Sequence, residues 1–216
     1  MDLVNKWNSI NMKKGLWKEW VYTLEALGFD YLQKAANSCA DFEELKGKIK
    51  TREDVIATII YMDWVVTSFD EYLKTLRKDV VTGYEFSNEA EFENAKHYMK
   101  ALRSFVVAHP LKTDRHPKYG FNGDLICADI YINKPAVLGL KNHYIGHIDF
   151  DGIKPLTSDD TENYFYIGVY SKERDGGNSL YDMSFSLKDV ERVFELTVDN
   201  FNELNKYLSK LKKEDF

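Results

Sequence analysis

Four stretches of this chain place apolar residues at alternating spacings of three and four, and no other feature restricts the possible folds as strongly. Such spacing winds a stripe along one face of a helix, and the stripe has to be buried against another apolar surface. The first stretch is 16–36, with Trp17, Trp20, Leu24, Leu27 and Tyr31 on the stripe and Gly28 as a tolerated weak point. The second opens at Thr51, with Asp54 in the spacing of a capping box. It carries Val55, Ile59, Met62, Val66, Phe69, Leu73 and Leu76, while Asp63, Asp70 and Arg77 recur along its polar side. The third begins near Asn88, where Glu89, Glu91 and Glu93 suit the positive end of a helix dipole. It runs through Phe92, Ala95, Met99, Leu102 and Val106 to His109. The fourth follows Ser186, with Val190, Phe194, Thr197, Phe201, Leu204, Leu208 and Leu211.

Between the third and fourth stretches the period changes to two. In "LYDMSFSL", Tyr181, Met183, Phe185 and Leu187 alternate with smaller or polar neighbours, which is the pattern of a strand. The runs "DLICADIYI" and "YFYIGVY" read as further strands, and "RDGGN" supplies the glycines of a tight turn. The expected fold is mainly α: a four-helix bundle with a small antiparallel β-sheet inserted between the third and fourth helices. One domain covers 1–216, with the bundle at 1–110 and 186–216 and the β-rich insertion at 111–185. A length of 216 residues is enough for one substantial core and does not require a second.

Hydrophobic residues make up 44% of the chain, too many for a disordered one. The longest apolar run, "VIATIIYMDWVV", is broken by Asp63 and too short for a bilayer, so no membrane association is expected. The opening residues lack the apolar core and cleavage site of a secretory signal, and the cysteines, Cys39 and Cys127, stand far apart in apolar settings. A reducing cytoplasm fits these features best. A net charge of -6 argues against a general nucleic-acid coat, so any contact with nucleic acid has to be local.

The segment "ALRSFVVAHPLKTDRHPKYGF" is where chemistry concentrates. On an ideal helix Arg103 and His109 lie about 120 degrees apart, and Pro110 loosens the helix before it. Imidazole moves protons near neutral pH, and a guanidinium holds two phosphoryl oxygens at once. RNA brings its own nucleophile, the 2′-hydroxyl, so such a pair needs neither a metal nor a cofactor. The same residues can instead serve the fold, His109 as a helix-end cap and Arg103 as a solvated charge. Beyond the helix, Lys112, Arg115, His116, Lys118 and Tyr119 form an electropositive lip with a stacking ring that suits an RNA strand, or else an ordinary solvated loop. In "HYIGHIDFD", His143, His147, Asp149 and Asp151 would share one face of a strand, a weaker pattern that is not expected to hold a metal.

A helical bundle with Arg, a short spacer and His at the C-terminal end of its third helix resembles the HEPN superfamily of RNases and RNase-like domains. "LRSFVVAHP", Leu102 to Pro110, carries the resemblance. The helices cover roughly the first 110 residues and the last 30, and the sheet has no counterpart in it. The family usually has Asn, Asp or His after the Arg, where this chain has Ser104. The resemblance implies a metal-independent RNA endonuclease acting as a homodimer, with Arg103, His109 and Ser104 at the site, used as a toxin or antiphage effector. The alternative is a non-catalytic helical module that binds an antitoxin or a defence-complex partner.

Overall fold

The computed structural model describes residues 2–108, 127–132, 143–155, 164–171 and 179–215. Among them are six α-helices: α1 (Leu3–Asn8), α2 (Glu25–Leu45), α3 (Arg52–Thr75), α4 (Lys78–Val81), α5 (Glu89–Arg103) and α6 (Leu187–Lys210). The protein is mainly helical, and among the described residues there are four long helices and two short ones in place of a plain set of four. Among the described residues five strands lie between α5 and α6: β1 (Cys127–Ile132), β2 (His143–Asp149), β3 (Gly152–Pro155), β4 (Tyr164–Ser171) and β5 (Ser179–Ser186). They form one sheet in the order β1-β4-β5-β2-β3.

That sheet is mixed, where the sequence led us to expect an antiparallel one: β2 and β5 pair in parallel, and every other pair is antiparallel. A parallel pair needs a connection of about a dozen residues or more, and the chain between β2 and β5 exceeds that because β3 and β4 intervene. The β2–β3 hairpin is closed by Asp149, whose carboxylate accepts from the N–H groups of Asp151 (2.8 Å) and Gly152 (3.1 Å). Gly152 has a φ of 137°, a value L side chains rarely adopt. The "RDGGN" turn lies outside the described residues.

The chain divides into two compact units. One comprises Met1–Gly47, Tyr61–Glu93 and Arg192–Phe216; the other comprises Lys48–Ile60 and Asn94–Glu191. The first, the helical unit, has a core of rings. Phe201 meets Trp7, Phe69 and Tyr72 edge-on, with centroids 5.0, 4.8 and 5.6 Å away. Phe42 stacks on Phe194 at 4.3 Å. Edge-to-face and offset arrangements of this kind add about 0.5–1.5 kcal/mol per pair to the burial of the rings.

Within this unit α2 begins later than the apolar stripe over 16–36 suggests. Residues before Glu25 form two short 3₁₀ turns and an isolated bridge between Tyr22 and Leu76. The Thr23 and Leu24 N–H groups both donate to the Thr75 carbonyl, which keeps that stretch out of the helix. The buried face of α2 is therefore Gly28, Leu32, Ala35, Ser38, Cys39 and Phe42, and the expected stripe residues Trp17, Leu24 and Leu27 are exposed. Gly28 is what the packing requires there, because a Cβ would come within 2.5 Å of the Tyr22 ring.

The second, the sheet unit, includes the start of α3. Its capping box is present: Asp54 N–H donates to the Thr51 hydroxyl (3.2 Å), and the Asp54 carboxylate accepts from the N–H groups of Lys50 and Thr51, both at 2.9 Å. Those backbone bonds, Lys50 first, hold the Asp54 carboxyl below its usual range. On the sheet, Phe165 faces Phe185, and Ile167 stands opposite both Ile130 and Met183. All five are buried, which makes them the cross-strand pairs that stabilise one covered face.

Candidate functional site

The C-terminal end of α5 is where the motif falls. The helix buries Ala95, Tyr98, Met99, Ala101 and Leu102, and it ends at Arg103, which is exposed. Lys100 and Arg103 place positive charge in the last turn, where the helix dipole favours it whatever else they do. The chain then continues as a π-helical segment over Ser104–Ala108. Single π turns inside helices are frequent at functional sites, because they disturb the regular register of side chains. Here Phe105 is fully buried, Val106 is half-buried and Val107 is exposed, so the core position falls on Phe105 where the stripe had Val106. The angle of about 120 degrees between Arg103 and His109 assumes an ideal α-helix and does not carry through a π turn.

Ser104 is buried, only 8% exposed, whereas its neighbour Arg103 is exposed. The π segment runs close to β1 and β4, so Ser104 belongs to the packed side of that segment. His109 and the lip residues Lys112, Arg115, His116, Lys118 and Tyr119 lie outside the described residues. Of the residues singled out for RNA chemistry, the described structure therefore contains Arg103 and Ser104, one facing solvent and one facing the interior.

A second polar constellation sits where β2, β5 and the start of α6 meet. The His147 ring lies with Nδ1 3.1 Å from the Ser184 hydroxyl and Nε2 3.3 Å from the Asp189 carboxylate. Ser184 also reaches the Gly146 carbonyl at 3.3 Å. Asp189 and Ser186 form a reciprocal cap at the start of α6: the Ser186 hydroxyl donates to the carboxylate at 2.6 Å, and Asp189 N–H donates back at 3.0 Å. Serine, histidine and aspartate together suggest acyl-transfer chemistry, but this geometry argues for a structural role. Ser184 is fully buried, and both nitrogens of His147 are already engaged, so neither a nucleophile nor a free base faces solvent. The grouping locks two parallel strands to the helix that follows one of them.

Sequence reading placed His147 beside Asp149 as a weak metal pattern and did not see Ser184 or Asp189 as its partners. In the structure Asp149 closes the hairpin and is paired with Lys154. Burial would raise its carboxyl, but the hydrogen bonds from Lys154 and the Asp151 and Gly152 backbone outweigh that, and the net shift is downward. Among the described residues no three His, Cys, Asp or Glu side chains are grouped to hold a metal ion. The Ser186-x-x-Asp189 spacing was the legible signal for the cap. Nothing local links His147 to residues 37 and 42 positions further on.

Of the second-helix polar residues, Arg77 lies beyond the end of α3 and pairs with Asp79. Cys39 is buried in α2 as a free thiol, and burial raises its pKa to about 12, so it is inert as a nucleophile. No described helix is long and apolar enough to cross a membrane. In comparisons with known proteins, no family model, no curated protein and no solved structure matches the chain. The HEPN resemblance therefore rests on its own motif and helices.

Proposed function

We propose that the chain is a metal-independent RNA endonuclease of HEPN type, acting in the cytoplasm as a homodimer and used as a toxin or antiphage effector. The observation that carries this reading is the end of α5, where an exposed Arg103 stands at the point at which the helix passes into a π turn just before His109 and Pro110. In this reading Arg103 holds the oxygens of the scissile phosphate, and His109 moves a proton to or from the reacting groups. The 2′-hydroxyl of the RNA attacks the adjacent phosphate, and the 5′-oxygen leaves with a proton. Ser104, buried under the segment, acts by seating the turn that presents Arg103. Two copies related by a two-fold axis would bring two Arg103 and two His109 side chains to one cleft, with the exposed Val107 at its margin and the Lys112 to Tyr119 lips beside it.

The test is cleavage of a broad RNA panel in EDTA. Products should end in a 2′,3′-cyclic phosphate or 3′-phosphate, and Arg103→Ala or His109→Ala should lower the rate by at least about 100-fold with the fold intact. A dimeric wild-type protein that leaves every RNA uncut sinks the enzyme reading. The burial of Ser104, where the family usually has a stronger polar group, favours the second reading of a helical module that binds an antitoxin or defence-complex partner. That reading gains if the His109→Ala protein keeps its cellular effect.

A further inference from the structure

Along α2, Phe29, Leu32, Gln33 and Ala36 recur at spacings of three and four, which puts them on one face of the helix. That face is one wall of a cavity of about 390 Å³, bounded on its other sides by Trp7 of α1 and by Met12 and Trp17 from the chain between α1 and α2. All of these residues belong to the helical unit, and the volume lies in the range of sites for small organic molecules. The stretch that carries Met12 and Trp17 is tied to α6 at several points. Asn205 accepts from Leu16 N–H at 2.9 Å and donates to the Asn11 carbonyl at 3.2 Å. The Lys18 ammonium donates to the carbonyls of Leu208, Ser209 and Leu211 at the end of α6. Trp17 N–H donates to the Met12 carbonyl at 2.9 Å, and the Trp17 side chain remains 45% exposed. A large ring on a backbone fixed in this way is a preorganised wall, which lowers the ordering cost of binding.

What the lining offers, and what it lacks, sets the chemistry of a ligand. Three of the side chains are aromatic, and rings favour other rings, edge-on or offset, over saturated chains of equal area. Met12 adds a thioether, which makes favourable contacts with ring edges. No charged side chain lines the cavity, so a charged ligand would lose water there without gaining a counter-ion. Gln33, the one amide on the wall, already gives an N–H to Asn37 at 2.8 Å. We infer that this cavity binds an uncharged ligand built on a flat, fused aromatic ring system, seated against Trp7, Trp17 and Phe29.

Indole is the probe, titrated into the full chain by calorimetry, with indole-3-acetate as its charged counterpart and cyclohexanol as an uncharged compound without an aromatic ring. The expected result is saturable binding of one indole per chain with Kd below about 1 mM, at least about threefold tighter than either comparison compound. Ala36→Trp, which fills the cavity from the α2 wall, should weaken indole by about tenfold or more. Trp17→Ala, which removes one ring wall, should weaken it by about fivefold or more. The Trp17 side chain is nearly half exposed, so its variant tests the site even if the Ala36 variant misfolds. No saturable binding by about 5 mM overturns the proposal, as does equal or tighter binding of indole-3-acetate or cyclohexanol, or a folded Trp17→Ala protein that binds indole like the wild type. A dimer in sedimentation that Trp17→Ala converts to a monomer also overturns it, because a second copy of the chain would then be what covers the cavity.

Discussion

The helical unit and the sheet unit are held together by different physics. Around Phe201 the helical unit gains its stability from rings that touch edge-on, contacts that scale with buried area and tolerate small shifts. Directional bonds are scarcer there: Asn200 is fully buried with neither amide atom bonded to a described group, a cost that the burial of the surrounding rings offsets. At the junction of β2, β5 and α6 the sheet unit instead depends on directional bonds, in which Ser184, His147, Asp189 and Ser186 each have a partner at a set distance. The contrast teaches that removing volume is the way to injure the first region, while removing one hydrogen-bonding atom is enough to injure the second.

The largest expected effect is on the ring core. Phe201→Ala should cost about 3–5 kcal/mol of unfolding free energy, read from urea denaturation, because three aromatic neighbours cannot all close the void. Asp189→Asn keeps the volume but removes the charge that His147 Nε2 faces and weakens the cap on α6. Its cost should be about 1 kcal/mol, below the range of about 1.5–3 kcal/mol for hydrogen bonds to charged groups because Asp189 is partly open to solvent. Hydrogen exchange should place that loss in β2, β5 and the first turn of α6. If Asp189→Asn costs as much as Phe201→Ala, the contrast between the two regions fails.

The smallest effect belongs to the rim of the helical unit, where Arg192 holds the Glu91 carboxylate with two bonds of 2.8 and 2.9 Å. The Arg192 hydrogen bond depresses the Glu91 pKa below its ordinary value. A depressed folded-state pKa contributes stability that is present above the ordinary carboxylate pKa and is lost as pH falls through the folded value. Both side chains are more than a third exposed, so solvent screening limits the contribution to about a few tenths of a kcal/mol. Between about pH 5 and pH 3 the wild type should therefore lose slightly more stability than Glu91→Gln, and a difference of the opposite sign would refute the assignment.

Long elements were the legible part of this chain. The second and fourth stripes became α3 and α6, and the Thr51 and Asp54 spacing became the cap expected of it. The period-two run around Met183 and Phe185 became β5, and "YFYIGVY" became β4. The first stripe misled because Trp17, Leu24 and Leu27 have helical spacing without being buried. Of the candidate RNA site, the sequence supplied Arg103 as a charged residue within a helix running to His109, and the structure makes it the exposed last residue of α5. The π turn that follows was not legible, since its residues have ordinary helical propensities and a π register depends on what the segment packs against.

By itself, then, the sequence determined most of the long helical and extended segments and where two helices start, whereas it ran the third long helix on to His109 and only the structure ends that α-helix at Arg103. Segments and starts are local matters, decided by spacing and by capping groups within three or four residues of one another. Only the tertiary structure decided the rest. Tyr22 and Thr75 delay the start of α2, β2 docks on β5 in parallel, and Phe105 takes the core position ahead of Val106. It also decided that His147 meets Ser184 and Asp189, and that Asn205 and Lys18 hold Trp17 out beside a cavity. Each of these joins residues far apart in the chain. A stripe reports that a face is apolar, whereas the partner that covers it is chosen by shape and by bonds formed only once the chain has folded.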